Sequence, residues 1–150
     1  MSTASNTRLN PAGHRWMHSP EGARIFRALR DAGGEARFVG GAVRNALLGE
    51  HVSDIDIATN LRPKDAMAAL QAEGIKVIPT GIEHGTITAI VNRHPFEVTS
   101  LRQDISTDGR RATVAFTDDW AEDAARRDFT MNAIYADETG ALFDSTGGIS

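Results

Sequence analysis

The stretch from Ala36 to Ala58, ARFVGGAVRNALLGEHVSDIDIA, decides how this chain is to be read. Ala36 to Val39 is a short apolar run, Gly40-Gly41 breaks it, and Val43 to Leu48 has helical character ended by Gly49. Asp54 to Ala58 then alternates acids with aliphatics, the pattern of a strand. Successive strand side chains point to opposite faces, so Asp54 and Asp56 share one face, ~7 Å apart, while Ile55 and Ile57 share the other. The local order is strand, tight glycine turn, short helix, strand.

Upstream, Ser19-Pro20-Glu21 predicts a helix start, Ile25, Phe26 and Leu29 share one face of that helix, and Gly33-Gly34 stops it. Residues 1–18 are rich in Ser, Thr, Asn, Pro and Gly without apolar periodicity and read as a mobile arm before a head spanning residues 19–150. Downstream, Pro63 opens a helix whose buried stripe is Ala66, Met67 and Leu70 and whose end is Gly74. Lys76 to Pro79, Thr86 to Val91 and Phe96 to Leu101 read as strands, with His94-Pro95 as the turn between the last two. Gln103 to Arg111 is polar, contains Asp108-Gly109 and reads as an exposed loop, with a short strand at Thr113 to Phe116. Asp118 to Arg127 starts with acids and ends with arginines, as the helix dipole favours.

The 150 residues suit a single domain. Hydrophobic content of 41% and charged content of 24% exclude collagen-like, wholly disordered and coiled-coil classes. Cysteine is absent, which excludes disulfide frameworks and thiolate metal sites; a cytoplasmic setting is the expectation. A net charge of −4 gives no overall basic excess, although all basic residues except Lys64 and Lys76 are arginines, which suit bidentate phosphate contacts. No apolar run approaches the ~20 residues of a membrane span. Gly-x-Ser-x-Gly, P-loop and dinucleotide glycine signatures are missing, and the histidines lack metal-ligand spacing.

Two carboxylates on one strand face can converge on a hard divalent cation, which takes oxygen ligands and activates a hydroxyl for attack on a phosphate. An isolated Asp-x-Asp is equally the mark of an exposed strand kept soluble by acids. Gly40-Gly41 between strand and helix lets backbone N–H groups approach a phosphate, and Arg44, one turn on, can add a bidentate contact; alone, such a pair simply makes a turn. Glu97, between Phe96 and Val98, faces opposite to its apolar neighbours and is a third candidate acid for the same cleft, or an ordinary half-exposed strand residue. In Arg126-Arg127-Asp128-Phe129-Thr130-Met131-Asn132-Ala133, arginine can hold polyphosphate and the Asn132 amide a sugar hydroxyl; the plain alternative is a helix end decorated with cations.

Taken together, Gly40-Gly41-Ala42-Val43-Arg44-Asn45-Ala46-Leu47-Leu48-Gly49 with Asp54-Ile55-Asp56 resembles the first motif of the class II tRNA nucleotidyltransferase and poly(A) polymerase family. The run from Arg126 to Ala133 resembles its second motif, and the resemblance spans about residues 36–150. It implies an α+β, polymerase-beta-like nucleotidyltransferase head, a mixed sheet packed against helices. It also implies Mg²⁺-dependent transfer of a nucleotide from CTP or ATP to the 3′ end of tRNA. On the same ground Asp54 and Asp56 bind metal and, with Glu97, form the catalytic acids. Gly40, Gly41 and Arg44 would hold the triphosphate, Arg127 and Asp128 the nucleotide, with Asn132 near the sugar. Gly81-Ile82-Glu83-His84-Gly85-Thr86 resembles the CCA-adding branch, and the segment from about Gln103 to Phe116 the loop implicated in switching between C and A addition. Asn45 departs from the family, which usually has aspartate there. The family's neck, with its base-reading Glu-Asp-x-x-Arg element, and its tRNA-binding body and tail have no counterpart up to Ser150. A poly(A) polymerase, or a nucleotide- and metal-binding module that needs a separate neck, are the alternative expectations.

Overall fold

In the computed structural model, residues 19–48, 55–106, 112–125, 134–138 and 141–144 are described. Helix α1 (Pro20–Asp31) begins where the Ser19 hydroxyl accepts the Gly22 N–H at 3.1 Å, with Pro20 in the first turn. Strand β1 (Ala36–Val39) leads through Gly40 into α2 (Gly41–Leu47), and β2 (Asp56–Thr59) follows. Helix α3 (Pro63–Ala72) buries Ala66, Ala69 and Leu70; Met67 is only half-buried, so the stripe is turned slightly from the expected one. Then come β3 (Lys76–Gly81), a 3-10 turn at Ile82–His84, β4 (Thr86–Val91), β5 (His94–Ser100), β6 (Arg102–Ser106) and β7 (Ala112–Phe116). Helix α4 (Trp120–Ala125), β8 (Ile134–Ala136) and β9 (Leu142–Asp144) complete the described elements.

Seven strands form one sheet in the order β3-β4-β5-β2-β1-β8-β9. Among the described strands of this sheet β2 and β5 run parallel and the other neighbours antiparallel, so the sheet is mixed, as expected. Helices α1 to α3 cover one face, where Phe26, Leu29, Phe38, Val43, Ile57, Leu70, Ile87 and Val98 form the main core. Fully burying each such side chain contributes about 1.5–3 kcal/mol before chain entropy is counted. On the opposite face a smaller core of Val39, Ala58, Leu101, Ala124 and Tyr135 lies under α4. There the Arg37 guanidinium sits between the rings of Trp120 and Phe143, 4.1 and 3.8 Å from their centroids. Burial holds its pKa below the usual arginine value, against the opposing effect of Glu35. Elsewhere on that face, over β4 and β5, Thr86, Thr88 and Thr99 are half-buried and Glu97 is exposed. Among the described residues no helix is long and apolar enough to cross a membrane.

Two expectations are corrected. The β4–β5 turn is Asn92-Arg93, both at positive φ (51° and 69°), the two-residue hairpin geometry that matches strand twist. His94 and Pro95 belong to β5, paired with Val91 and Ile90; β5 pairs with β2 only from Glu97 onward, so the N–H that Pro95 lacks is not needed there. Gln103 to Ser106 is not loop but β6, whose partner β7 satisfies its backbone whatever the polarity of the side chains. Asp108-Gly109 lies outside the described residues, as do the 1–18 arm, Gly49 and Asp54. The expected helix from Asp118 to Arg127 is described at Trp120–Ala125, with the Asp119 carboxylate accepting the Ala121 N–H just before it.

Candidate active site

Sheet register builds the site. Val39 of β1 lies opposite Asp56 of β2, Asp56 beside Glu97 of β5, and Glu97 opposite Thr88 of β4. Paired residues on neighbouring strands share a face, so Asp56, Glu97 and Thr88 stand in a row on the side that the three helices leave open. The parallel pairing is anchored by the Glu97 N–H, which donates to the Ile55 carbonyl at 3.2 Å. Ile55, Asp56, Thr88, Pro95 and Glu97 line an open cleft of about 440 Å³. Glu97 is exposed and Asp56 half-buried. Like charges placed side by side across a ladder destabilise it, and a cation between them relieves that cost.

Gly40 lies close to the same acid. It has φ 77° and ψ −140° at the entry to α2, and a Cβ there would lie 3.3 Å from Asp56 Oδ2. The glycine turn thus lets the β1–α2 backbone close on the carboxylate. One turn on, the Arg44 N–H donates to the Gly40 carbonyl at 3.0 Å, which places Arg44 on α2 directly after the turn. Arg44 Nε donates to Asn45 Oδ1 at 3.3 Å, so the asparagine keeps a neutral contact to the arginine where an aspartate would make an ion pair. Gly41 is the first residue of α2.

Of the residues singled out from the sequence, Gly40, Asp56 and Glu97 are therefore brought together, with Gly41 and Arg44 on the adjoining helix. Asp54, Arg127, Asp128 and Asn132 lie outside the described residues. Sequence reasoning missed Thr88 and Pro95 as cleft residues; the alternation of Thr86-Ile87-Thr88-Ala89 shows which side chains share a face, but not that β4 lies beside β5 on the Glu97 row. The described donor set, two carboxylates opening to solvent, fits a hard divalent cation that keeps several waters. Among the described residues no group of three or more His, Asp or Glu converges.

Residues 36–150 match the family described as Poly A polymerase head domain. Human CCA tRNA nucleotidyltransferase 1, mitochondrial, is 47% identical over 115 residues, which are 76% of this chain and 26% of that protein. The structure of the Bacillus stearothermophilus CCA-adding enzyme in complex with CTP is similar at a TM-score of 0.74 and 41% identity, over 87% of this chain and 31% of that one. A tRNA nucleotidyltransferase complexed with a primer tRNA and an incoming ATP analog is similar at a TM-score of 0.61 and 28% identity, over 83% of this chain and 35% of that one. The chain thus spans about a quarter to a third of the length of these relatives. A family match over residues 36–150, which is most of the chain, means that the chain belongs to the poly A polymerase head domain family.

Proposed function

We propose that this chain is the catalytic head of a CCA-adding tRNA nucleotidyltransferase, which transfers CMP and AMP from CTP and ATP to the 3′ end of tRNA. The observation that carries the reading is the placement of Asp56 beside Glu97 in one cleft, with the Gly40 turn close behind Asp56. The names of the similar proteins, and the CTP, tRNA and ATP analog in the similar structures, support the substrate class. A cytoplasmic setting accords with the lack of cysteine, though the human relative's name places that protein in mitochondria.

Asp54 and Asp56 would hold Mg²⁺, with Glu97 as the third acid. When bound, such an ion lowers the pKa of an attacking hydroxyl and neutralises phosphate charge. Glu97, exposed at the cleft, orients the RNA 3′ hydroxyl or its hydration shell. Gly40 and Gly41 present backbone close to the triphosphate, and Arg44 neutralises its charge as pyrophosphate departs. Arg127 and Asp128 hold the nucleotide and Asn132 the sugar.

The test is incorporation of labelled CMP and AMP into tRNA lacking its 3′ CCA. Addition that stops after one CCA, and is lost in Asp56→Ala and Glu97→Ala chains that still fold, supports the reading; normal incorporation by Asp56→Ala refutes it. Because the family description names poly A polymerase, repeated AMP addition to arbitrary RNA would favour that activity. Because the relatives are several times longer, nucleotide binding without transfer would favour a module that needs a separate base-reading neck.

A further inference from the structure

Resting on the reading that the cleft joins a nucleoside triphosphate to an RNA 3′ end, we propose that Thr88, backed by Thr80, reads the 2′ hydroxyl of that RNA's terminal ribose and sets a preference for it over a deoxyribose end. Among the described residues lining the cleft, Ile55, Asp56, Thr88, Pro95 and Glu97, Thr88 alone has a neutral side chain that can both donate and accept a hydrogen bond. Its hydroxyl lies 2.9 Å from that of Thr80, and either can be the donor.

A bulge in β3 brings the second hydroxyl in. Lys76, Val77 and Ile78 pair with Ile90, Ala89 and Thr88, but pairing resumes at Gly81 with Thr86, so β3 carries one extra residue between Ile78 and Gly81. In a regular ladder Thr80 would stand opposite Thr86; here its hydroxyl reaches Thr88, and re-aiming a side chain is what bulges do. Of the two hydroxyl hydrogens, one serves the mutual bond. If Thr80 donates, Thr88 keeps a hydrogen to give; if Thr88 donates, its oxygen keeps a lone pair. A hydroxyl partner suits both cases because it too donates and accepts, whereas a phosphate oxygen only accepts.

The order of the row says which reactant Thr88 meets. From the Gly40 turn the groups run Asp56, Glu97, Thr88 across β2, β5 and β4. With the triphosphate held at the glycine turn, an in-line displacement has pyrophosphate leaving on that side and the attacking hydroxyl arriving from the other. The RNA end therefore lies toward Glu97 and Thr88. Directly opposed residues on antiparallel strands hold their Cβ atoms about 4.5–5.5 Å apart, so with Glu97 at the attacking 3′ oxygen, Thr88 is within reach of the vicinal 2′ oxygen. That hydroxyl is what lets a protein tell RNA from DNA at a given position.

The experiment measures transfer of labelled CMP, with Mg²⁺, to two tRNAs that lack their 3′ CCA and differ only in a ribose or a 2′-deoxyribose at the 3′ end. Wild type is expected to favour the ribose end about tenfold in kcat/KM, the effect of one hydrogen bond in a half-buried site. Thr88→Val, close in shape but without the hydroxyl, should fall on the ribose end to the deoxyribose rate, so that the preference vanishes while KM for CTP stays within about twofold. Thr88→Ser should restore the preference, and Thr80→Val should weaken it by about threefold. If Thr88→Val fails to fold, a weakened preference in Thr80→Val supports the proposal and an unchanged one overturns it. A wild type without ribose preference, or a Thr88→Val chain that keeps the preference, overturns it as well. A wild type that transfers to neither tRNA instead overturns the functional reading, and the proposal with it.

Discussion

Replacing Gly40 by alanine tests how the glycine turn serves the acid beside it. The residue sits at φ 77°, ψ −140°, a region nearly closed to L-residues, which costs of order 1–3 kcal/mol to occupy with a side chain. In addition the new methyl would stand 3.3 Å from Asp56 Oδ2, closer than ordinary contact, so the carboxylate must shift by a few tenths of an ångström. At roughly 2–4 °C per kcal/mol for a domain of this size, the melting temperature should fall by about 2–12 °C. Gly74, after α3, provides the control: its φ is 76° and no atom lies within 4 Å of a Cβ there. Gly74→Ala should lower stability through backbone strain alone, whereas Gly40→Ala should also impair CMP transfer, because the displaced group is the proposed metal ligand. Circular-dichroism melting and the tRNA incorporation assay, run on both variants below their melting temperatures, give the comparison. A Gly40→Ala chain with wild-type melting and wild-type transfer would refute the reasoning, and equal transfer by the two variants would show that the close approach to Asp56 is incidental.

Arg37→Met removes a guanidinium stacked between Trp120 and Phe143, and unfolding in urea should show a loss of about 1–2 kcal/mol. Arg37→Lys should recover only part of that, since an ammonium cannot stack as a planar group. The Glu21 carboxyl has a pKa lowered from its ordinary value, chiefly by the Asn92 amide that donates to it at 2.9 Å. Because the folded value is depressed, its contribution is present above the unfolded pKa and lost as pH falls through the folded one, so Glu21→Gln should flatten the decline of melting temperature between about pH 5 and pH 3. An unchanged slope would show that this contact contributes nothing.

Much of the fold was legible because the signals are local. Ser19-Pro20 sets the first helix, Pro63 and Gly74 bracket α3, and the break at Gly40-Gly41 separates β1 from α2 through dihedral preferences that belong to single residues. The alternation in Thr86 to Val91 marks a strand by period alone. The hairpin turn was misplaced because proline at position 95 is a stronger turn signal than Asn92-Arg93, and strand end effects that spare Pro95 its missing N–H depend on where β2 stops. Strand β6 was read as loop because polar composition says nothing about a partner strand, whereas Thr113 to Phe116, most of β7, was read as a strand.

The sequence by itself supplied the candidate chemistry: two acids two residues apart, a glycine pair between strand and helix, a third acid between apolar neighbours, and arginines in place of lysines. Tertiary structure alone decided which of these meet. Glu97 lies 41 residues beyond Asp56 and joins it only because β5 returns parallel to β2 after a crossover through α3, β3 and β4. Asp123 finds Tyr135 only because α4 packs on the face opposite the main helices. Dihedral preference and period act over a few residues, whereas register is set by burial of whole faces against each other, and that is a property of the packed chain.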